Sequence, residues 1–126
     1  MSPTSTPSTT PSSSPTISCG LNEVRFKLIL VTDIYPSETS WELLVDDSSN
    51  QLIASGGGYT EETQTYEEIE CLANDGFYNF TIFDSYGDGL CCSGSYSIEL
   101  DGVVVGQGGG DFGFSESIQF DTILTP

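Results

Sequence analysis

Most of the chemistry open to this chain lies in one short run, Asp84-Ser85-Tyr86-Gly87-Asp88-Gly89-Leu90-Cys91-Cys92. Two carboxylates stand four residues apart, with glycines between and after them. Glycine lets a backbone turn sharply, so side-chain and carbonyl oxygens converge on one point, as they do in calcium loops. The run is not an EF-hand, because the third acid, the closing Glu and the helices are missing. A second acidic corner, Thr32-Asp33-Ile34-Tyr35-Pro36-Ser37-Glu38, follows a strand-like run. If the two corners meet at one end of the fold, Asp33, Glu38, Asp84 and Asp88 make a four-carboxylate calcium site, short of the usual six to eight ligands. Asp84 and Asp88 also suit a purely structural task. Asp in a Gly-rich loop commonly caps a turn by accepting local amides.

Other chemistries find little support. The chain has no histidine, so no Ser-His-Asp or Cys-His arrangement can form. No Gly-rich phosphate loop precedes a helix, since no stretch has a helical pattern of useful length. A carboxylate pair is the minimum for glycoside hydrolysis, but one Trp and so small a domain leave little room for a sugar cleft. The expectation is a protein without catalytic activity. Trp41, Tyr35, Tyr59, Tyr86 and Tyr96 would be the aromatic platforms of a carbohydrate-binding module. Trp41 equally suits the core, since it alternates in step with Leu43 and Val45.

Charge narrows the partners. Nineteen acids face two cations, Arg25 and Lys27, for a formal net charge of −17. Such a chain is repelled by nucleic acid and by anionic lipid. Its natural counter-ions are calcium, other hard cations or basic partner surfaces, and the charge by itself also keeps a protein dispersed. No stretch approaches the roughly 18 apolar residues of a membrane-spanning helix.

Cys19, Cys71, Cys91 and Cys92 are an even set in a short, Gly-rich chain, which points to two disulfides and an oxidising compartment. The spacing lacks the C-x₂₋₄-C knuckles of a zinc site. A bridge between Cys91 and Cys92 would be strained, because adjacent Cβ atoms point apart in extended chain. Each is therefore expected to take one of Cys19 and Cys71, in either order. Asn79-Phe80-Thr81 is an N-glycosylation sequon, which also favours secretion. Met1 leads into the next segment without a hydrophobic leader, so a leader already removed, or a unit of a longer chain, is expected.

The elements that must position these residues are strands. Val24, Phe26, Leu28 and Leu30 alternate with Arg25, Lys27, Ile29 and Val31, the period of a strand. Further strands are expected at Trp41–Val45, Gln51–Ser55, Thr65–Leu72, Phe77–Phe83, Tyr96–Leu100, Val103–Gly106 and Ser115–Asp121. Tyr66 and Ile69 are expected to point inward. The acid-rich start of Tyr59–Glu70 also suits a helical turn. Asp101-Gly102 is a strong hairpin signal, and Asp84–Gly94 reads as a long loop holding both neighbouring cysteines. Eight short strands with regular turn signals predict an all-β domain over residues 19–121, a disulfide-stapled β-sandwich of jelly-roll type.

Ahead of that domain, residues 2–16 are Ser, Thr and Pro only, with Pro3, Pro7, Pro11 and Pro15 on a four-residue beat. A segment without an apolar face does not fold by burial. Its composition suits an extended, polyproline-like arm over residues 1–18, O-glycosylated at some of Ser2, Thr4, Ser5, Thr6, Ser8, Thr9, Thr10, Ser12, Ser13, Ser14 and Thr16. Residues 122–126 form a short tail. At roughly 3.1 Å per residue the arm spans about 45 Å, whereas a domain of about 100 residues is roughly 35 Å across. The arm therefore reaches a neighbour, and a head-to-tail contact of that kind propagates as a filament.

The set T-D-x-Y-P-x-E-x-x-W, then C-L, then F-x-I-x-D-S-Y-G-D-G-x-C-C-x-G-x-Y and D-G-x-V-V, over about residues 23–115, resembles a small acidic β-module. That module recurs in secreted proteins of microalgae and some marine bacteria. The resemblance implies an extracellular accessory or assembly role and no catalysis. Together these features lead to the expectation of a secreted structural subunit of a fibre or coat, partnered by copies of itself and by glycans. The alternative is a calcium- or carbohydrate-binding module on a glycosylated linker.

Overall fold

Val24, Phe26, Leu28 and Leu30 turn one way along the chain and are at most 1% exposed, while Arg25, Lys27, Ile29 and Val31 turn the other way and stay half-buried. This period of two makes Glu23–Val31 a strand, β1, with one face in the core. The computed structural model describes residues 19–122, apart from the side chain of Cys92. The arm, with all its candidate O-glycosylation positions, and residues 123–126 lie outside the described residues. Within them β1 is followed by β2 (Thr39–Val45), β3 (Leu52–Gly56), β4 (Thr65–Ala73), β5 (Phe77–Asp84), β6 (Leu90–Leu100), β7 (Val103–Gly110) and β8 (Ser115–Asp121).

The strands form two four-stranded antiparallel sheets, ordered β4-β1-β6-β7 and β3-β2-β5-β8. Only β2–β3 and β6–β7 are hairpins within one sheet; the other connections cross between sheets. This is the expected disulfide-stapled β-sandwich with its jelly-roll-like crossings. The inner faces meet in aromatic contacts, with Phe26 and Phe80 ring centroids 6.4 Å apart and Phe80 and Tyr96 5.6 Å apart. Fully burying one such apolar side chain contributes about 1.5–3 kcal/mol. Trp41 is a core residue, 3% exposed, and its indole N–H donates to the Tyr59 hydroxyl at 2.8 Å. Gly108 faces Tyr96 across the β6–β7 ladder, and a Cβ there would stand 2.8 Å from the Tyr96 ring. Asp101 and Gly102 both take positive φ, as the tight hairpin between β6 and β7 requires.

Four expectations are corrected. Cys91 and Cys92 do not each take one of Cys19 and Cys71: Cys19 is bonded to Cys71. A turn closed by the Glu23 N–H to the Gly20 carbonyl precedes β1, and the Cα atoms of Cys19 and Cys71 are 5.5 Å apart. Cys91 is itself disulfide-bonded. The expected exclusion of a Cys91–Cys92 bridge, argued from strain between adjacent cysteines, turns on the side chain of Cys92, which lies outside the described residues. Second, the Asp84–Gly94 loop is shorter than expected, since β6 begins at Leu90, with an irregular register before Ser95. Third, Ile69 is on the outer face opposite Lys27, while Tyr66 and Leu72 share the inner face with Leu30 and Val24. Strand parity settles this: Tyr66 and Ile69 are an odd number of residues apart and cannot share a face. Fourth, Tyr59–Gln64 carries no helix, and the one short helix among the described residues is a 3-10 turn at Pro36–Glu38. Among the described residues no helix is long and apolar enough to cross a membrane.

Candidate metal centre

The two acidic corners meet because β2 and β5 are paired. Thr39, the first residue of β2, lies opposite Asp84, the last residue of β5. Just beyond them, the Ser85 N–H donates to the Glu38 carbonyl at 3.0 Å. Pro36 starts the 3-10 turn that delivers Glu38 to this end of the sandwich. Asp33 arrives from the other sheet, two residues past β1. Its corner is fixed by Thr32, whose hydroxyl donates to the Glu61 carbonyl at 2.7 Å and accepts the Gln64 N–H at 2.9 Å.

Glu38, Asp84 and Asp88 each place a carboxylate oxygen within 4.8 Å of the other two. Asp33 stands beside this trio, outside the 4.8 Å group but near enough for its charge to act on Glu38 and Asp88. Asp33 is 0% and Asp84 2% exposed. The two oxygens of the Asp84 carboxylate have different surroundings. Asp84 Oδ2 accepts the N–H groups of Gly87, Asp88 and Gly89 at 2.7, 2.7 and 2.9 Å, closing the loop. Asp84 Oδ1 is buried and accepts no hydrogen bond. Asp33 repeats the pattern: Oδ1 accepts the Tyr35 N–H at 2.8 Å, and Oδ2 is buried without a partner. Glu38 Oε1 and Asp88 Oδ1 are likewise buried and unpartnered.

Gly89 makes the loop possible. It has φ 66°, and a Cβ there would stand 2.5 Å from both the Gly110 carbonyl and the Phe112 N–H nitrogen. One further oxygen was not foreseen. Thr39 Oγ1, beside Asp84 on the ladder, is also buried with no partner. A threonine opening a strand carries no motif, so no sequence signal marks it.

The electrostatics are those of crowded anions. Burial raises the Glu38 carboxyl above its ordinary range, and the charges of Asp84, Asp88 and Asp33 push the same way. Asp88 is raised by its carboxyl-to-carboxyl contact with Asp84, then by burial and the nearby charges. For Asp84, burial works upward, but the contact with Asp88 and the loop N–H groups outweigh it and hold the carboxyl low. Asp84 is thus held toward its anionic form, while Glu38 and Asp88 resist ionisation.

A buried carboxylate oxygen without a donor is costly, so the unpartnered oxygens of Asp33, Glu38, Asp84 and Asp88 suit either a bound cation or a proton. Calcium binds oxygens at about 2.3–2.6 Å, so ligands on opposite sides stand up to roughly 5 Å apart, as this trio allows. The other acid-and-thiol cluster, Cys19, Glu23 and Cys71, cannot ligate through sulfur because its cysteines are bonded to each other. A cleft of about 330 Å³, lined by Ile34, Tyr35, Glu38, Tyr86, Asp88 and Cys91, opens over the carboxylates. Tyr35 and Tyr86 are 49% and 71% exposed, whereas Trp41, Tyr59 and Tyr96 are buried and cannot act as sugar platforms. Asn79 is half-buried in the middle of β5, with its Oδ1 covered, and not on a loop. Comparisons with protein-family models, curated proteins and solved structures return no match.

Proposed function

We propose that this chain is an extracellular, non-catalytic β-module whose loop end is locked by a calcium ion. The observation that carries this is the set of buried, unpartnered oxygens on Asp33, Glu38, Asp84 and Asp88. Calcium would join the two sheets at that end: Asp33 follows β1 in one sheet, and Glu38 and Asp84 belong to the β2–β5 pair of the other. Extracellular modules bind calcium at about 10⁻⁴–10⁻³ M, which matches a site still lacking some ligands. The Cys19–Cys71 disulfide supports an oxidising compartment. Isothermal titration of the full chain with calcium should give one site per chain in that range, and magnesium should bind more weakly because it demands a tighter octahedral shell. Absence of saturable calcium uptake at neutral pH overturns the proposal.

A second reading, a structural subunit of a fibre or coat built through the N-terminal arm, is favoured by a different observation. The edge strand β7 carries no charge on a chain of net −17. O-glycans on the arm would shield the outside of such an assembly. An intact mass of native material equal to the 13.5 kDa polypeptide would remove the glycans from this picture.

A further inference from the structure

Among the described residues four strands lie at sheet edges, and three are guarded. β4 carries Glu67, Glu68 and Glu70, β8 carries Glu116 and Asp121, and β3 is only five residues long. Charge and shortness are the usual protections against pairing with another chain. β7, Val103-Val-Val-Gly-Gln-Gly-Gly-Gly110, has neither. Its Val103, Val104 and Val105 are 65%, 50% and 39% exposed, and its ladder to β6 is interrupted at the extra residue Val105 and again by a register shift at Gly109 and Gly110, both of positive φ.

The arm has the pattern of a strand built for one such edge. In a strand, each residue turns its N–H and C=O to one side and its neighbour's to the other. A four-residue proline beat is even, so Pro3, Pro7, Pro11 and Pro15 all turn their missing donors to the same side. The opposite side belongs to the even positions Ser2 to Thr16, all Ser or Thr, with every N–H intact. One edge of the arm can thus pair fully, while the other is blocked to further strands. The arm also carries no charge for a −17 partner to repel.

We propose that β7 of one copy accepts the arm of a second copy as an added strand, with the even-numbered residues donating to it. The donor is a second copy because the arm leaves from Cys19, which is bonded to Cys71 on β4, at the far edge of the same sheet from β7. The beat runs up to Pro15, and residues before proline are held extended. Eight residues cover β7, and the remainder of the arm spans the gap between copies. This rests on the assembly reading and not on calcium.

Proline parity supplies the test. In the full chain, Pro7→Ser with Ser8→Pro, and Pro11→Ser with Ser12→Pro, keep the composition but move two prolines onto the pairing side. The control, Ser5→Pro with Pro7→Ser, keeps the parity. Sedimentation velocity and negative-stain microscopy should show filaments for the native chain and the control, and at least a tenfold loss of assembled material for the out-of-phase variant. Val104→Lys, at an exposed β7 position, should act likewise, with circular dichroism confirming a folded domain. Assembly of the out-of-phase variant or of Val104→Lys at the native level overturns the proposal. So does a native chain that stays monomeric, whether its arm is free or paired with its own β7. Calcium titration of the same samples reports on the metal site separately.

Discussion

Asp84→Asn separates the two tasks of Asp84. The amide oxygen can still accept the Gly87, Asp88 and Gly89 N–H groups, but the buried anionic oxygen is gone. Hydrogen bonds to a charged acceptor are roughly twice as strong as neutral ones. Weakening three of them should cost about 1–3 kcal/mol in chelator, and the domain should remain folded. The calcium response should vanish. At 10–100 times its dissociation constant, calcium stabilises a one-site protein by about 1.4–2.7 kcal/mol. For a domain near 100 residues that is a rise in melting temperature of roughly 6–20 °C. The assay is thermal unfolding followed by circular dichroism in calcium, in magnesium and in chelator. The native chain should show the rise with calcium, and Asp84→Asn should melt at one temperature in all three. A native melting temperature indifferent to calcium and chelator would leave Asp84 only its capping role. A full calcium shift in Asp84→Asn would place the ion elsewhere.

Acidity should act in opposite senses on the two states. In chelator, Glu38 and Asp88 have raised folded values, so their contribution to stability is greatest in acid and falls as pH rises past the ordinary 4.5 and 3.8. Asp84, held low, contributes above 3.8 and loses that contribution as pH falls through its folded value. Calcium affinity should weaken as pH falls through the raised values of Glu38 and Asp88; a calcium isotherm unchanged between neutral and mildly acidic buffer would contradict this. Cys19→Ser with Cys71→Ser opens a crosslink of sequence separation 52 and should cost about 4 kcal/mol on the chain-entropy model. An unchanged urea midpoint would count against it. Gly89→Ala forces a side chain into a left-handed backbone against Gly110 and Phe112, so it should cost at least about 1–2 kcal/mol and weaken the calcium response. A wild-type melting curve in calcium would refute that account of the loop.

The sequence by itself determined the framework. Strict alternation around Val24–Leu30 and Tyr78–Ile82 specified strands with one buried face, and Asp101-Gly102 specified a hairpin, because side-chain parity and positive φ are local properties. It also named the four carboxylates, since acids beside Gly and Pro at strand ends can be seen without knowing the pairing. What it left open was long-range. That Glu38, Asp84 and Asp88 converge, with Asp33 beside them, depended on β2 pairing β5 and on Asp33 following β1 in the other sheet. Which oxygen caps and which stays free depended on where the Gly87–Gly89 amides point. The partner of Cys19 depended on β4 lying at the edge beside the start of β1, a choice among pairings that spacing does not encode. Thr39 joins the buried oxygens only because the ladder sets it opposite Asp84. Local chemistry is written residue by residue, whereas convergence is a property of strand order, which many sequences with the same local pattern could arrange differently.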